Sequence, residues 1–483
     1  MEITPSLLID GRWSSPSRVR EVRAPATGAV LARIGMAGRE EAEAAVEAAA
    51  RALPAWRRTT GMERSAILAR AAALIGERAE AIGRALSEET GKLLREAVGE
   101  VRFGADYFAW FAGEARRLEG LRGVSGRNGG PQLVLRRPVG VVATLTPWNF
   151  PVSIQARKLA PALAAGCTVV ARPSEQAPLS VIALMACLQE AGLPPGVANL
   201  LIGPAGPITE TLLADQRVRL ISFTGSTPVG QMLYERSAAA MRRVALELGG
   251  CAPFVVCDDA DLERAVDQAM IAKFRNYGQS CIGANTFYVA EPLYERFVEA
   301  FAARMAALRP GDPLDDASSY GPLINARRRD ELVALVERAQ GAGLEPLARG
   351  PACPPGLDPA CYLAPALLGA PRLDGVDAAF LAQELFGPVA VVVGFDDLEG
   401  LLAQLNAQPL GLAGYVFAGD QARALRIGAR LEVGIVGVND GLPSAANVPM
   451  GGVKQSGLGR EGGHEGLEEF LELQYLALAA PLA

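Results

Sequence analysis

The run Val139-Gly140-Val141-Val142-Ala143-Thr144-Leu145 decides the fold. It is apolar without alternation. A strand with one wet face alternates polar and apolar residues, whereas a continuous apolar run suits a strand covered on both faces of a parallel sheet. Downstream, short apolar runs alternate with helical stretches. Residues 167–171, 197–202, 218–223 and 243–248 read as strands, and 179–191, 208–214 and 229–240 as helices. This rhythm predicts a doubly wound parallel sheet, the usual home of a nucleotide.

A second alternating half begins near Pro253-Phe254-Val255-Val256. Its first helix is expected over 261–276, with Asp258, Asp259 and Asp261 at the start. Strands follow at 286–290, 389–395 and 414–417, and helices at 293–308 and 327–341. The proline-rich 351–359 reads as a surface loop. Upstream of Val139, residues 40–53 and 62–118 carry alanine-rich helical periodicity, with Glu40, Glu41 and Glu43 in a first turn. Residues 132–136 alternate as an exposed edge strand, and 472–479 are extended enough to pair with it.

Bulk properties narrow the function. A chain of 483 residues exceeds one ordinary core, so at least two domains are expected. A net charge of −6 gives no support for nucleic acid or an anionic membrane as partner. Residues 1–20 lack the apolar stretch of a signal peptide, and no run is apolar enough to span a bilayer. The seven cysteines are scattered without a CxxC pair, which argues against a disulfide framework or a metal site and for the cytoplasm. The single histidine, His464, sits among glycines and reads as a loop or helix-start residue.

Three stretches carry chemistry together. Lys273-Phe274-Arg275-Asn276-Tyr277-Gly278-Gln279-Ser280-Cys281 ends in a candidate thiol nucleophile. Pro147-Trp148-Asn149-Phe150-Pro151 offers an amide donor, and Leu246-Glu247-Leu248-Gly249-Gly250 a carboxylate base. The bland reading of any one cysteine is a buried structural thiol, and Cys167 and Cys257 fit it. Cys281 differs, because its neighbours are polar and Lys273 and Arg275 are near in sequence, a setting that favours thiolate. Glu247 read blandly is a surface charge at a strand end. Phe223-Thr224-Gly225-Ser226-Thr227 follows a strand and opens a helix, so backbone N–H groups can meet a phosphate there. Ser226 read alone is equally a helix cap. A literal GxGxxG at Gly457, Gly459 and Gly462 has no strand before it and no βαβ unit after it, and is read as a turn.

Taken together, PWNFP at 147–151, FTGST at 223–227, LELGG at 246–250, GQSC at 278–281, ELFGP at 384–388 and GGVKQSGLGRE at 451–461 resemble the aldehyde dehydrogenase superfamily over nearly the whole chain. The likeness runs closest to succinate-semialdehyde dehydrogenases, through KFRN at 273–276, LTPWNFP at 145–151 and GIVGVN at 434–439. The resemblance implies an α/β fold with two doubly wound domains and a small β oligomerisation element. It places the NAD(P)-binding domain at 1–122 and 142–248, the catalytic domain at 249–450 and the oligomerisation element at 123–141 and 451–483. It implies a homodimer or homotetramer.

The resemblance also implies roles. Cys281 attacks the aldehyde, Asn149 and the backbone N–H of Cys281 hold the oxyanion, and Glu247 activates water against the thioester. Lys158 matches a lysine near the active site. Thr146, Pro147, Trp148, Arg172, Ser174, Glu175, Phe223, Gly225, Ser226, Leu248, Gly249, Glu384 and Phe386 fall at cofactor positions, Glu384 on the nicotinamide ribose. Glu175 beside the adenosine ribose implies a preference for NAD over NADP, and Arg172, where lysine is usual, pulls the other way. Gly283 stands where some semialdehyde enzymes carry a second, redox-regulatory cysteine. Phe150, Arg157, Arg275, Ser444 and Met450 fall in the substrate pocket. Arg157, Arg275 and Ser444 occupy three positions that are aromatic in many members taking apolar aldehydes. Two arginines at converging positions imply a clamp on a substrate carboxylate, with succinate semialdehyde first and glutarate semialdehyde second. Glu247 counts against a coenzyme-A-acylating relative, and the full residue set against a non-catalytic protein on the same fold.

Overall fold

The computed structural model describes residues 3–127 and 129–478. The apolar run 139–145 becomes the strand Val141–Thr146, buried at every position. It lies at the centre of an eight-stranded sheet. On one side follow Thr168–Pro173 and Ala198–Leu200, and on the other Val218–Gly225 and Arg243–Leu248, all parallel. The chain thus runs outward in one direction and then returns to the far side of Val141–Thr146. The crevice at such a reversal, beyond the carboxyl ends of the strands, is where α/β sheets take ligands. Here the reversal brings Pro147-Trp148 and Gly225-Ser226 side by side. Leu7–Ile9 and Arg12–Ser14 extend one edge as an antiparallel hairpin.

A second sheet has seven strands, from Glu345–Arg349 at one edge to Ile435–Val438 at the other. Its central strands Ala366–Ala370, Val389–Phe395, Thr286–Ala290, Phe254–Val256 and Ala413–Phe417 are parallel and fully buried. Its apolar core is separate from that of the first sheet. The third sheet is small and antiparallel, in the order Leu471–Ala477, Pro131–Pro138, Leu121–Val124.

Two expectations change. The strand near residue 133 does pair with the C-terminal one, Leu135 opposite Gln474. It is not an edge, because Leu121–Val124 covers its other side. Residue 479, the expected end of the C-terminal strand, lies outside the described residues. The helical run 62–118 is three helices, Gly61–Glu77, Ala79–Thr90 and Leu94–Ala115. Gly91 ends the second in the left-handed conformation (φ 78°), where a Cβ would stand 2.5 Å from Pro322. Alanine-rich periodicity continues through such a break without marking it.

The helix Pro151–Ala165 matters most for the site. It starts with proline at its first position, where no N–H is missed. Every one of its residues is buried, including Arg157 and Lys158. Buried cations need partners, and those partners define the site's electrostatics.

Candidate functional site

Cys281 is delivered by a backbone turn that few residues tolerate. Asn276, Tyr277 and Gly278 have φ of 49°, 52° and 77° in succession. Each of the two non-glycine residues is held from outside. Asn276 Nδ2 donates to the carbonyls of Asn149 (3.0 Å) and Gln279 (3.1 Å). The Tyr277 ring stacks on Tyr320 at 4.1 Å, and its hydroxyl donates to Leu363 O at 2.6 Å. At Gly278 a Cβ would meet the Gly387 carbonyl oxygen at 2.2 Å, so the GQSC and ELFGP stretches touch through glycine.

Asn149 sits between this turn and the first sheet. Its Nδ2 donates to Gln279 O at 3.1 Å. Its own carbonyl accepts from Lys92 Nζ at 2.8 Å as well as from Asn276. Lys92 is buried and ion-paired with Glu100, whose other oxygen accepts from the N–H groups of Val152 and Ser153 at the start of the buried helix. Charge, helix end and amide are therefore fixed as one unit.

Glu247, 1% exposed, lies in the strand Arg243–Leu248 and is no surface charge. The Cys281 thiol lies close enough to its carboxylate for each to shift the titration of the other. Glu247 Oε2 also faces Arg157 Nη2 at 3.3 Å, while its Oε1 has no partner. Arg157 Nε lies 2.6 Å from Glu461 Oε2, and Glu461 pairs with Lys158 as well. Lys158 Nζ donates to Ser222 Oγ at 3.1 Å. Two carboxylates and two cations close a buried network around the thiol.

The electrostatics differ from the sequence reading. Burial pushes the Cys281 thiol well above its usual range, the charge of Glu247 adds to this, and Arg157 only partly offsets it. Lys273 gives no help. It is buried without a partner, and burial, with Arg328 nearby, pushes it down to about 7. The thiolate-favouring cationic surroundings expected from Lys273 and Arg275 are thus absent. The thiol is instead paired with a base. Glu247 is itself held above the ordinary carboxylate range by burial and by Glu461, against the pull of Arg157. A carboxylate raised in this way is a stronger base than a solvated one.

A cavity of about 290 Å³ opens at these groups. Asn149, Glu247 and Cys281 line it, as do Pro147, Trp148, Gly225, Ser226, Leu248, Gly249, Glu384 and Phe386. Trp148 and Phe386 form an edge-to-face pair 5.7 Å apart. Ser226 precedes the helix Thr227–Ala238 without capping it, so its hydroxyl is free. Glu384 is pushed up to about 8 by burial and the charge of Glu247, and its Oε1 has no partner. Thr224 and Arg328 line the cavity too, and the sequence reading assigned neither. Thr224 lay inside a quoted motif. Arg328, which donates to the carbonyls of Leu385 (2.6 Å) and Phe386 (3.2 Å), sits in a charged helix that reads as solvated surface.

Several expected residues stand elsewhere. The Thr146 hydroxyl is spent on Gln155 Oε1 (2.8 Å). Phe223 is a buried ring under Gly225. Arg172, Ser174 and Glu175 cluster at the end of the strand Thr168–Pro173, outside this cavity. Lys158 is fully buried against Glu461 and does not reach the cavity.

A second cavity, of about 560 Å³, is lined by Phe150, Arg275, Ser444, Lys92 and Glu96 among others. Adjacent residues Asn149 and Phe150 therefore line one cavity each. Arg275 stands 4.8 Å from the Phe150 ring centroid and has no ion pair among the described residues. Arg157 and Met450 line neither cavity, and the Met450 sulfur rests on the Arg157 guanidinium. The expected clamp of two free arginines is corrected accordingly. Arg157 is committed to Glu247 and Glu461, whose carboxylates lie beside it in the protein interior, and Arg275 alone is open at the mouth.

Comparison with known proteins agrees with this geometry. The model of the aldehyde dehydrogenase family matches residues 13–476. The glutarate-semialdehyde dehydrogenase of Pseudomonas putida is 41% identical over 475 residues, 98% of this chain and 97% of the relative. The NADP-dependent succinate-semialdehyde dehydrogenase of Escherichia coli is 41% identical over 479 residues, 98% of this chain and 97% of the relative. Among solved structures, the succinate-semialdehyde dehydrogenase of Burkholderia pseudomallei superposes with a TM-score of 0.94 at 38% identity, covering 99% of this chain and 98% of that one.

Proposed function

This chain belongs to the aldehyde dehydrogenase family, and on that premise we propose that it oxidises a short aldehyde bearing a distal carboxylate, succinate semialdehyde first, with Cys281 as nucleophile and Glu247 as base. The observation that carries the reading is the Cys281 thiol, the buried Glu247 carboxylate and the Asn149 amide lining one cavity. Glutarate semialdehyde is the alternative, in line with the name of one relative.

The residues fit a nicotinamide dinucleotide. A Cβ on Gly249 would fall 2.4 Å from Glu384 Oε2, so that glycine leaves room for the carboxylate, and Glu384 keeps an unpartnered oxygen to receive ribose hydroxyls. Pro147, Trp148 and Phe386 would wall the site, and the free Ser226 hydroxyl at a helix start would meet the pyrophosphate. Bound there, the nicotinamide supplies the hydride acceptor. Glu175 would receive the adenosine ribose hydroxyls, which favours NAD.

The chain's own residues do the rest. The Cys281 thiol passes its proton to Glu247, and the sulfur adds to the aldehyde carbon. Asn149 Nδ2 keeps one N–H on the Gln279 carbonyl and offers its second to the oxyanion, joined by the Cys281 N–H, which meets no acceptor among the described residues. A fixed donor of this kind typically contributes about 3–4 kcal/mol. Once the carbon is at the thioester level and Glu247 has given up its first proton to solvent, Glu247 takes a proton from water, the water oxygen adds to the carbonyl, and the carbon–sulfur bond breaks to release the acid and return Cys281 as thiolate. Arg157, held by Glu461, keeps Glu247 in place through these steps. Lys158 positions Glu461 and is not assigned contact with substrate. Arg275, Ser444 and Phe150 form the substrate mouth, with Arg275 as the carboxylate's partner.

The same reading assigns residues 1–122 and 142–248 to cofactor binding, 249–450 to catalysis, and 123–141 with 451–483 to oligomerisation. Exposed Leu121, Val124, Leu473 and Tyr475 on the small sheet support a homodimer or homotetramer. Among the described residues, no helix is long and apolar enough to cross a membrane. Seven unpaired thiols support a cytoplasmic location. The test is NADH formation from succinate semialdehyde, with and without coenzyme A, for the wild type and Cys281→Ala. Turnover without coenzyme A that disappears in Cys281→Ala is expected. Turnover that requires coenzyme A, or that survives loss of the thiol, refutes the reading.

A further inference from the structure

The end of the strand Thr168–Pro173 carries a cluster of three charged side chains, Arg172, Glu175 and Arg20. Arg172 is buried, and its Nε and Nη2 donate to the Gly203 carbonyl at 3.2 and 2.7 Å. Nη2 also pairs with Glu175. The other carboxylate oxygen of Glu175 faces Arg20 Nη1 at 3.6 Å. Arg20 comes from Val19–Arg23, a strand of a separate three-stranded sheet near the N-terminus. One carboxylate is thus held between two guanidiniums from different parts of the fold.

The place of this cluster gives it meaning. Thr168–Pro173 is the strand next to Val141–Thr146, on the side away from the reversal. In dinucleotide-binding sheets an acidic residue beyond this strand takes the adenosine ribose hydroxyls, and an arginine nearby accommodates a 2′-phosphate. Glu175 fits the first role. Arg172 alone fits the second badly, because its donors are fixed on Gly203 and its burial leaves no freedom to follow a ligand. Arg20 is different. Its side chain is 44% exposed, its one partner here is Glu175, and that bond is long.

We propose that Arg20 is a specificity-determining residue that lets this chain bind NADP as well as NAD. With NAD, Glu175 receives the ribose hydroxyls. With NADP, Glu175 turns away, and Arg20 takes the 2′-phosphate in its place, beside the fixed charge of Arg172. Two cations and one anion leave the cluster one net positive charge, enough to offset the like-charge repulsion between Glu175 and a phosphate. Removing Arg20 takes that surplus to zero, and removing the Glu175 charge doubles it. The order of 2′-phosphate affinity is therefore Glu175→Gln above wild type above Arg20→Ala. Nothing in this order applies to NAD, which has no phosphate there. The inference rests on the dinucleotide reading of the first sheet.

The experiment is equilibrium binding, independent of turnover. NADH and NADPH are titrated by fluorescence, and ADP and 2′,5′-ADP by calorimetry, against wild type, Arg20→Ala and Glu175→Gln. Arg20→Ala is expected to weaken NADPH and 2′,5′-ADP about five- to twentyfold, as fits a charge-assisted contact that solvent partly screens, while NADH and ADP change less than about twofold. Glu175→Gln is expected to tighten NADPH. Equal weakening of both cofactors by Arg20→Ala would mark a structural role and overturn the proposal, as would no weakening of either. A wild type that binds NADH but gives no measurable NADPH or 2′,5′-ADP binding overturns it as well. A wild type that binds neither dinucleotide overturns the dehydrogenase reading too, so the two failures are distinguishable.

Discussion

Arg275→Ala should collapse the preference for a carboxylated substrate while sparing the chemistry. Arg275 lines the larger cavity, stacks over Phe150 at 4.8 Å and has no ion pair among the described residues. A substrate carboxylate can accept two N–H bonds from one guanidinium. At roughly 1.5–3 kcal/mol for each hydrogen bond to a charged group, the upper bound is about 3–6 kcal/mol. The guanidinium is only partly buried, and Glu96 in the same cavity already lies within its field. Those two facts reduce the gain to about 2–3 kcal/mol, or about 30- to 160-fold in kcat/KM. The assay compares succinate semialdehyde with butanal, which matches it in carbon count, by NADH formation in wild type, Arg275→Ala and Arg275→Lys. The alanine variant should lose about 30- to 160-fold on the acid substrate and at most about threefold on butanal, with partial recovery in the lysine variant. Equal losses on both substrates would mean that Arg275 merely supports Phe150. An unchanged preference would mean that the carboxylate is read elsewhere, and the single-arginine account would be wrong.

Three further outcomes follow from the site. Glu247→Gln should give a rapid burst of about one equivalent of NADH per active site and then near-arrest, since water activation is lost; its Cys281 should also alkylate at lower pH, because Glu247 holds the thiol up, and unaltered steady turnover contradicts both. Lys273→Met should stabilise the protein by about 1–4 kcal/mol at pH 7, as replacing a buried charged group often does. The lysine falls from 10.5 to about 7 on folding, so the unfolded chain binds the extra proton between those values, wild-type stability rises with pH across that window, and the penalty is full below it; a melting temperature that the substitution does not raise at pH 7 refutes this. Glu384, near 8 in the free protein, should ionise when ribose hydroxyls donate to it, so NADH binding at pH 7 should release a proton and tighten as pH rises through 8. Calorimetry in buffers of different ionisation enthalpy reads that release, and its persistence in Glu384→Gln would assign it elsewhere.

The sequence determined the parallel sheets by itself. Val141–Thr146, Thr286–Ala290 and Val389–Phe395 are largely continuous apolar runs, and a run covered on both faces leaves that mark in any context. The motifs also singled out Cys281, Glu247 and Asn149, because nucleophile, base and amide donor are chemical types visible in the letters. Helix breaks inside alanine-rich stretches were not legible, since apolar periodicity survives a left-handed glycine such as Gly91. Nor was the fate of the charges. Arg157 looked like a free clamp beside Arg275, yet it meets Glu247, 90 residues away, and Glu461 besides. Lys158 meets Glu461 across 303 residues, and Arg20 meets Glu175 from a different sheet. Lys273 looked like a cation near the nucleophile, and it is buried alone and pushed down to about 7. Periodicity reports which face of a segment is buried, a property local in the chain. Pairing and protonation depend on distances between segments and on the water each group loses, and only the packed tertiary structure sets those.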